Sequence, residues 1–175
     1  MSNSPPIGGK KFVCSLGSET TPLTARAYDK DQPEFILSIP VGTGVWVRKV
    51  DIQLESFSGT DNEIVLWSTT NEIGNGTSSA PTETPTCTNA LQSVVALAVP
   101  RQLYTANVTL TDYRELARRS NPLADVNINR FVMPEEESEA FFVPGASSVG
   151  FAISSTTTQA TFYAKIYWTE VHTQS

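Results

Sequence analysis

The chain holds a single imidazole, His172, and this limits the nucleophilic chemistry it can offer. A Ser-His-Asp or Cys-His set needs a general base beside its nucleophile. At position 172 of 175 residues the ring suits a fraying end better than a catalytic centre. Gly145-Ala-Ser-Ser-Val-Gly150 sets serines among glycines but misses the G-x-S-x-G elbow. The Phe151-Ala-Ile run that follows reads as strand where the elbow requires a helix. Gly42-Thr-Gly44 lacks the lysine and the helix of a phosphate-binding loop, and reads as a turn. Paired carboxylates hydrolyse glycosides, yet the densest acidic group, Glu135, Glu136, Glu137 and Glu139, follows Pro134 and reads as a solvated turn. Asp29, Asp31 and Glu34 offer oxygen ligands to calcium without the glycine or spacing of an EF-hand. Cys14 and Cys87 lie far apart and no Cys/His group has zinc spacing. One disulfide or none is open. No catalytic residue, metal or cofactor is assigned, and the chain is expected not to be an enzyme.

The aromatic residues are more informative, because strand parity puts several opposite the apolar face. In the last strand-like run, Phe162, Ala164, Ile166 and Trp168 share one face, while Tyr163 and Tyr167 point with Lys165 to the other. Trp46 points opposite Val45 and Val47. An outward aromatic row stacks on sugar rings or is covered by another subunit. Subunit contact is the preferred reading for Trp46, Tyr163 and Tyr167, and Trp168 is read as core.

The elements that position these residues are strands. There are 18 Ser and 21 Thr among 175 residues, with 11 Pro and 10 Gly, a composition for strands joined by turns. The expected strands are Phe12 to Leu16, Glu34 to Ile39, Val45 to Phe57, Glu63 to Ser68, Ser93 to Val99, Leu103 to Thr111, Asn127 to Met133, Ala140 to Val143, Val149 to Ser154 and Thr161 to Val171. In Val45 to Phe57 the alternation slips by one residue, which predicts a β-bulge at Arg48-Lys49. A variant capping box, Asp112 with Glu115, followed by Arg118 and Arg119, predicts one short helix over residues 112–119.

Many short strands without βαβ alternation predict an all-β fold: an antiparallel β-sandwich of jelly-roll type, with a galactose-binding-like sandwich as competitor. The organisation is an extended polar arm, residues 1–11, and a single domain, residues 12–175. A Ser/Thr/Pro-rich loop, residues 69–92, is expected to cover, bind or project.

Charge narrows the partners. Twelve Lys and Arg against eighteen Asp and Glu leave a net −6, and residues 51–100 contain no Lys or Arg. A phosphate backbone requires a basic face, so nucleic acid is excluded as an expected partner. Five arginines between 101 and 130 are read as ion-pairing with acidic surface. No apolar run reaches the roughly 18 residues that span a bilayer, and residues 1–11 lack a signal-peptide core. The expectation is a soluble chain made without a secretion signal.

An acidic, histidine-poor, Thr-rich sandwich with a polar arm and a long loop resembles virion structural proteins, in particular phage head decoration proteins or jelly-roll capsid subunits. The resemblance is architectural and spans Glu34 to Val171. It implies a homo-oligomer, often a trimer about a three-fold axis, that contacts other capsid proteins through termini and loops within the virion. The acidic balance favours an outer decoration or cement role over a genome-contacting one, with residues 1–11 laid across a neighbouring subunit. The competing expectation is a carbohydrate-binding module or fibre-tip receptor-binding domain in which Trp46, Trp67, Tyr163 or Tyr167 stacks on sugar.

Overall fold

Backbone alternation between apolar and polar residues builds two antiparallel sheets. The structure is a computed structural model and describes residues 9–26, 29–56, 62–90, 93–121, 130–134, 140–155 and 160–172. The strands in chain order are β1 (Lys10–Leu16), β2 (Leu23–Thr24), β3 (Phe35–Ile39), β4 (Thr43–Ser56), β5 (Asn62–Thr69), β6 (Glu83–Cys87), β7 (Val99–Gln102), β8 (Arg114–Asn121), β9 (Arg130–Met133), β10 (Phe141–Val143), β11 (Ser147–Ser155) and β12 (Thr161–His172). The first sheet runs β10-β4-β12-β1-β6, with β2 on β12 and β9 on β4. The second runs β7-β3-β11-β5-β8. The pairing is nested. Of the strands β1, β3, β4, β5, β8, β9, β11 and β12, the first pairs with the last and the second with the seventh. The third pairs with the sixth and the fourth with the fifth.

The two sheets pack face to face, so the fold is an all-β antiparallel sandwich as predicted. Phe12, Val47, Ile52, Ile166 and Trp168 of the first sheet meet Phe35, Leu66, Phe151 and Ile153 of the second in one buried core. The Phe151 and Phe162 rings meet edge-on across the sheets at 6.2 Å, while Phe12 stacks on Trp168 at 5.6 Å. The predicted slip is real. Tyr167 lies opposite Lys49 and Trp168 opposite Val47, leaving Arg48 as the extra residue that lets Val47 and Val50 both face the core.

Four expectations are overturned. Residues 112–119 are not a helix; Arg114–Asn121 is β8, paired to β5 along its length. Two turns of helix are marginal alone, and eight residues of ladder outweigh them. The acid–base spacing that suggested helix is met by a bulge, since Glu115 lies opposite Trp67 and Ala117 opposite Leu66. Arg118 then reaches Glu115 at 2.8 Å and Glu63 at 2.6 Å. Of Ser93 to Val99 only Val99 is in a strand. Leu103 to Thr111 is not a strand either: the chain turns at Leu103 (φ 53°) and again at Asp112 (φ 50°). Finally, residues 69–92 are not a loop throughout, because Glu83–Cys87 is edge strand β6, while Ile73 joins a cover.

That cover closes the outer face of the second sheet. Ile36, Val65 and Trp67 lie beneath Ile73, Tyr104, Val108, Leu110 and Tyr113 as a second, smaller core. Tyr104 Oη donates to Gly74 O at 3.1 Å, and Thr111 N donates to Thr69 Oγ1 at 2.9 Å. Gly150 makes room for it: a Cβ there would stand 2.7 Å from Trp67 Cζ2 and 2.5 Å from the Phe35 carbonyl. Among the described residues, no helix is long and apolar enough to cross a membrane.

Candidate functional site

Among the described residues the outer face of the first sheet has no such cover, and it carries all three aromatic residues singled out by parity. Trp46 on β4 lies opposite Thr169 of β12, Tyr167 lies opposite Lys49, and Tyr163 lies opposite Gln53. All three are half-buried. The register therefore brings them to one face without bringing them into one cluster. Trp46 packs instead on Phe142 of edge strand β10, ring centroids 5.1 Å apart. Tyr163 and Tyr167 flank Lys165 along β12, and Lys49 Nζ sits 5.5 Å from the Tyr167 ring centre.

Charges lie between the rings. Asp51 accepts from Arg130 Nε at 2.8 Å and Arg130 Nη2 at 2.7 Å, while Lys49 Nζ stands 3.0 Å from Asp51 Oδ2. Lys165 is opposite Asp51 in register. The Arg130 fork holds the Asp51 carboxyl below the usual range, with Lys49 adding to the effect. Such a face is an array of amphipathic rings and paired charges. It offers contact area and orientation, as subunit interfaces do.

The remaining candidates have structural partners. Trp67 is fully buried under the cover, its Nε1 without a hydrogen-bond partner among the described residues, so it is not available to stack on sugar. Among Asp29, Asp31 and Glu34, Asp31 pairs with Lys30, and Asp29 Oδ1 accepts from Asp31 N at 2.9 Å. Buried Glu34 accepts from Arg26 N at 3.0 Å and Ile153 N at 2.8 Å. No group of three metal-ligating side chains occurs among the described residues. Ser148 Oγ accepts from Ile73 N and donates to Asn71 O, both at 3.0 Å, which holds the cover to β11. His172 is exposed at the end of β12. Cys14 and Cys87 are free thiols, and burial, reinforced by the negative charge of Glu83, pushes Cys14 up to about 12. Glu135 to Glu139 and residues 1–8 of the expected arm lie outside the described residues, whereas Lys10 and Lys11 belong to β1.

No family model, curated protein or solved structure matches the chain. The site is therefore read from its own geometry.

Two features escaped the sequence reading. Phe142, exposed beside Trp46, could have been found only with the β10–β4 register in hand. A cleft of about 650 Å³ also opens at the end of the sandwich, lined by Phe12, Val94, Val95, Leu97, Glu170 and His172 among others. Glu170 fixes its wall, accepting from Leu97 N at 2.9 Å and from Ala98 N and Trp168 Nε1 at 3.0 Å each.

Proposed function

We propose that this chain is a structural protein of a virion, a phage capsid subunit or a decoration protein laid on the capsid. In this reading it assembles with copies of itself and with other shell proteins. The observation that carries the reading is the asymmetry of the sandwich. One sheet's outer face is sealed by the chain's own loops, while the other presents Trp46, Phe142, Tyr163 and Tyr167 among paired charges. An amphipathic sheet face that no described residue covers suits a partner surface. The nested pairing of eight strands supports a jelly roll, two Greek keys wound together, an architecture shared by capsid and lectin domains.

The second reading, a carbohydrate-binding module, is favoured by the same tyrosines, because a sugar ring can stack on either. Light scattering of the purified chain over a concentration series, repeated on the Tyr163→Ser/Tyr167→Ser double variant, separates the two. Assembly that the double variant loses supports the structural role. A monomer at every concentration whose binding to glycans disappears in the double variant replaces it with the module.

A further inference from the structure

One uncharged stretch of the chain also holds three of the five exposed large apolar side chains among the described residues. Residues 84–100 contain no Asp, Glu, Lys or Arg. Within them, Val95, Leu97 and Val99 are 83%, 47% and 44% exposed, and they alternate with Val94, Ala96 and Ala98, which turn toward the core. This is strand patterning. Yet residues 93–98 join no sheet. The main-chain groups of Val94, Val95 and Ala96 make no hydrogen bond to the described residues, whereas Leu97 N and Ala98 N are held by Glu170 and Val99 pairs with Ser38.

The chain bends at Leu97 and Ala98, where Glu170 anchors it, and before that bend Ser93–Ala96 offers three free peptide units and the exposed Val95 side chain. Natural sheets normally protect such an edge with charge, proline or a covering segment. Pro100 stands here only at the anchored end.

We propose that Ser93–Ala96 is the segment on which two copies of this chain pair, antiparallel, about a two-fold axis at Val95. The proposal rests on the reading of the chain as self-assembling and names the contact. Charge selects a second copy as the occupant. In a chain of net −6 most self-contacts bring acidic surface to acidic surface, and across this uncharged run that repulsion is absent. A two-fold axis at Val95 pairs the free N–H and C=O groups of Val94 in each copy with those of Ala96 in the other. It also sets the two Val95 side chains opposite one another, Cβ atoms about 5 Å apart.

The test uses the full chain with Val95→Lys and Val95→Glu prepared separately. Because Val95 is 83% exposed, either charge leaves the fold intact, which far-ultraviolet circular dichroism verifies. Light scattering over a concentration series should show wild-type dimers or multiples of them. Each variant alone should associate at least tenfold more weakly, since like charges then face each other, and an equimolar mixture of the two should associate again. Three results overturn the proposal: variants that assemble like wild type, a mixture that stays dissociated, and a wild type that is monomeric throughout. The Tyr163→Ser/Tyr167→Ser variant distinguishes this failure from failure of the broader reading. If it alone loses assembly while both Val95 variants keep it, self-assembly stands and the contact lies on the first sheet instead.

Discussion

Glu34 gives the protein a stability that depends on pH in a window where most carboxyls are silent. Its side chain is 2% exposed and bridges segments distant in sequence, accepting from Arg26 N and Ile153 N. Its own main chain donates to Phe151 O at 3.2 Å and accepts from Leu103 N at 2.9 Å. Burial pushes the carboxyl up from an ordinary 4.5 to about 7, against the smaller opposing pull of the two N–H donors. The native state therefore holds this proton more tightly than the unfolded chain does. Stability is fully present below about pH 4.5 and is lost as pH rises through 7. At about 1.4 kcal/mol per pH unit, the loss between those limits is about 3 kcal/mol. With a urea dependence of about 2 kcal/mol per molar, the unfolding midpoint falls by about 1.5 M. Urea titrations at pH 5, 6, 7 and 8, followed by fluorescence of the buried Trp67 and Trp168, measure it. Asp51, held low by Arg130 and Lys49, contributes stability that is lost only below about pH 4, outside this window. Glu34→Gln removes the titration and should leave a flat profile, at a lower stability because an amide N–H₂ then faces a backbone N–H. A wild-type midpoint that does not move between pH 5 and 8, or a Gln variant with the same slope as wild type, refutes the reasoning.

Glu170→Gln should cost about 2 kcal/mol in chemical denaturation, because one of the three donors at Leu97, Ala98 and Trp168 loses its acceptor. Hydrogen exchange at Leu97 and Ala98 should rise in that variant, and unchanged protection there would contradict the anchoring role. Gly150→Ala should lower stability by about 2–3 kcal/mol, since the new methyl group meets the Trp67 ring and the Phe35 carbonyl. An unchanged melting temperature would show that the cover over the second sheet can shift to accept it.

The strands that the sequence made legible are those whose two faces meet different environments. β12 alternates Phe162, Ala164, Ile166 and Trp168 against Tyr163, Lys165 and Tyr167 because one side is core and the other lies outside it, and its limits were read to within a residue. The Arg48 bulge was legible for the same reason, as a break in an otherwise clean period. Alternation misled at Leu103 to Thr111, where Tyr104, Val108 and Leu110 face a sheet from outside while the backbone joins none. A cover and a strand produce the same two-sided pattern, and only pairing tells them apart. At Arg114–Asn121 local signals for a helix were present, and long-range pairing to β5 outweighed them. For the candidate site, parity placed Trp46, Tyr163 and Tyr167 on the correct side of their strands. Which rings would touch depended on register, and Phe142 enters through a strand distant in sequence.

The nested pairing also fixes the order in which the protein can be built during translation. β12 lies between β4 and β1 in the first sheet, and it follows the other described strands in the chain, so it leaves the ribosome after them. Until it arrives, β1 and β4 have no shared neighbour, and Phe12, Val47 and Ile52 lack the Ile166 and Trp168 side chains that complete their layer. Nascent chains therefore hold half a core open until β12 has been made, a state that invites chaperone binding and aggregation, and closure is dominated by contacts between strands far apart in sequence.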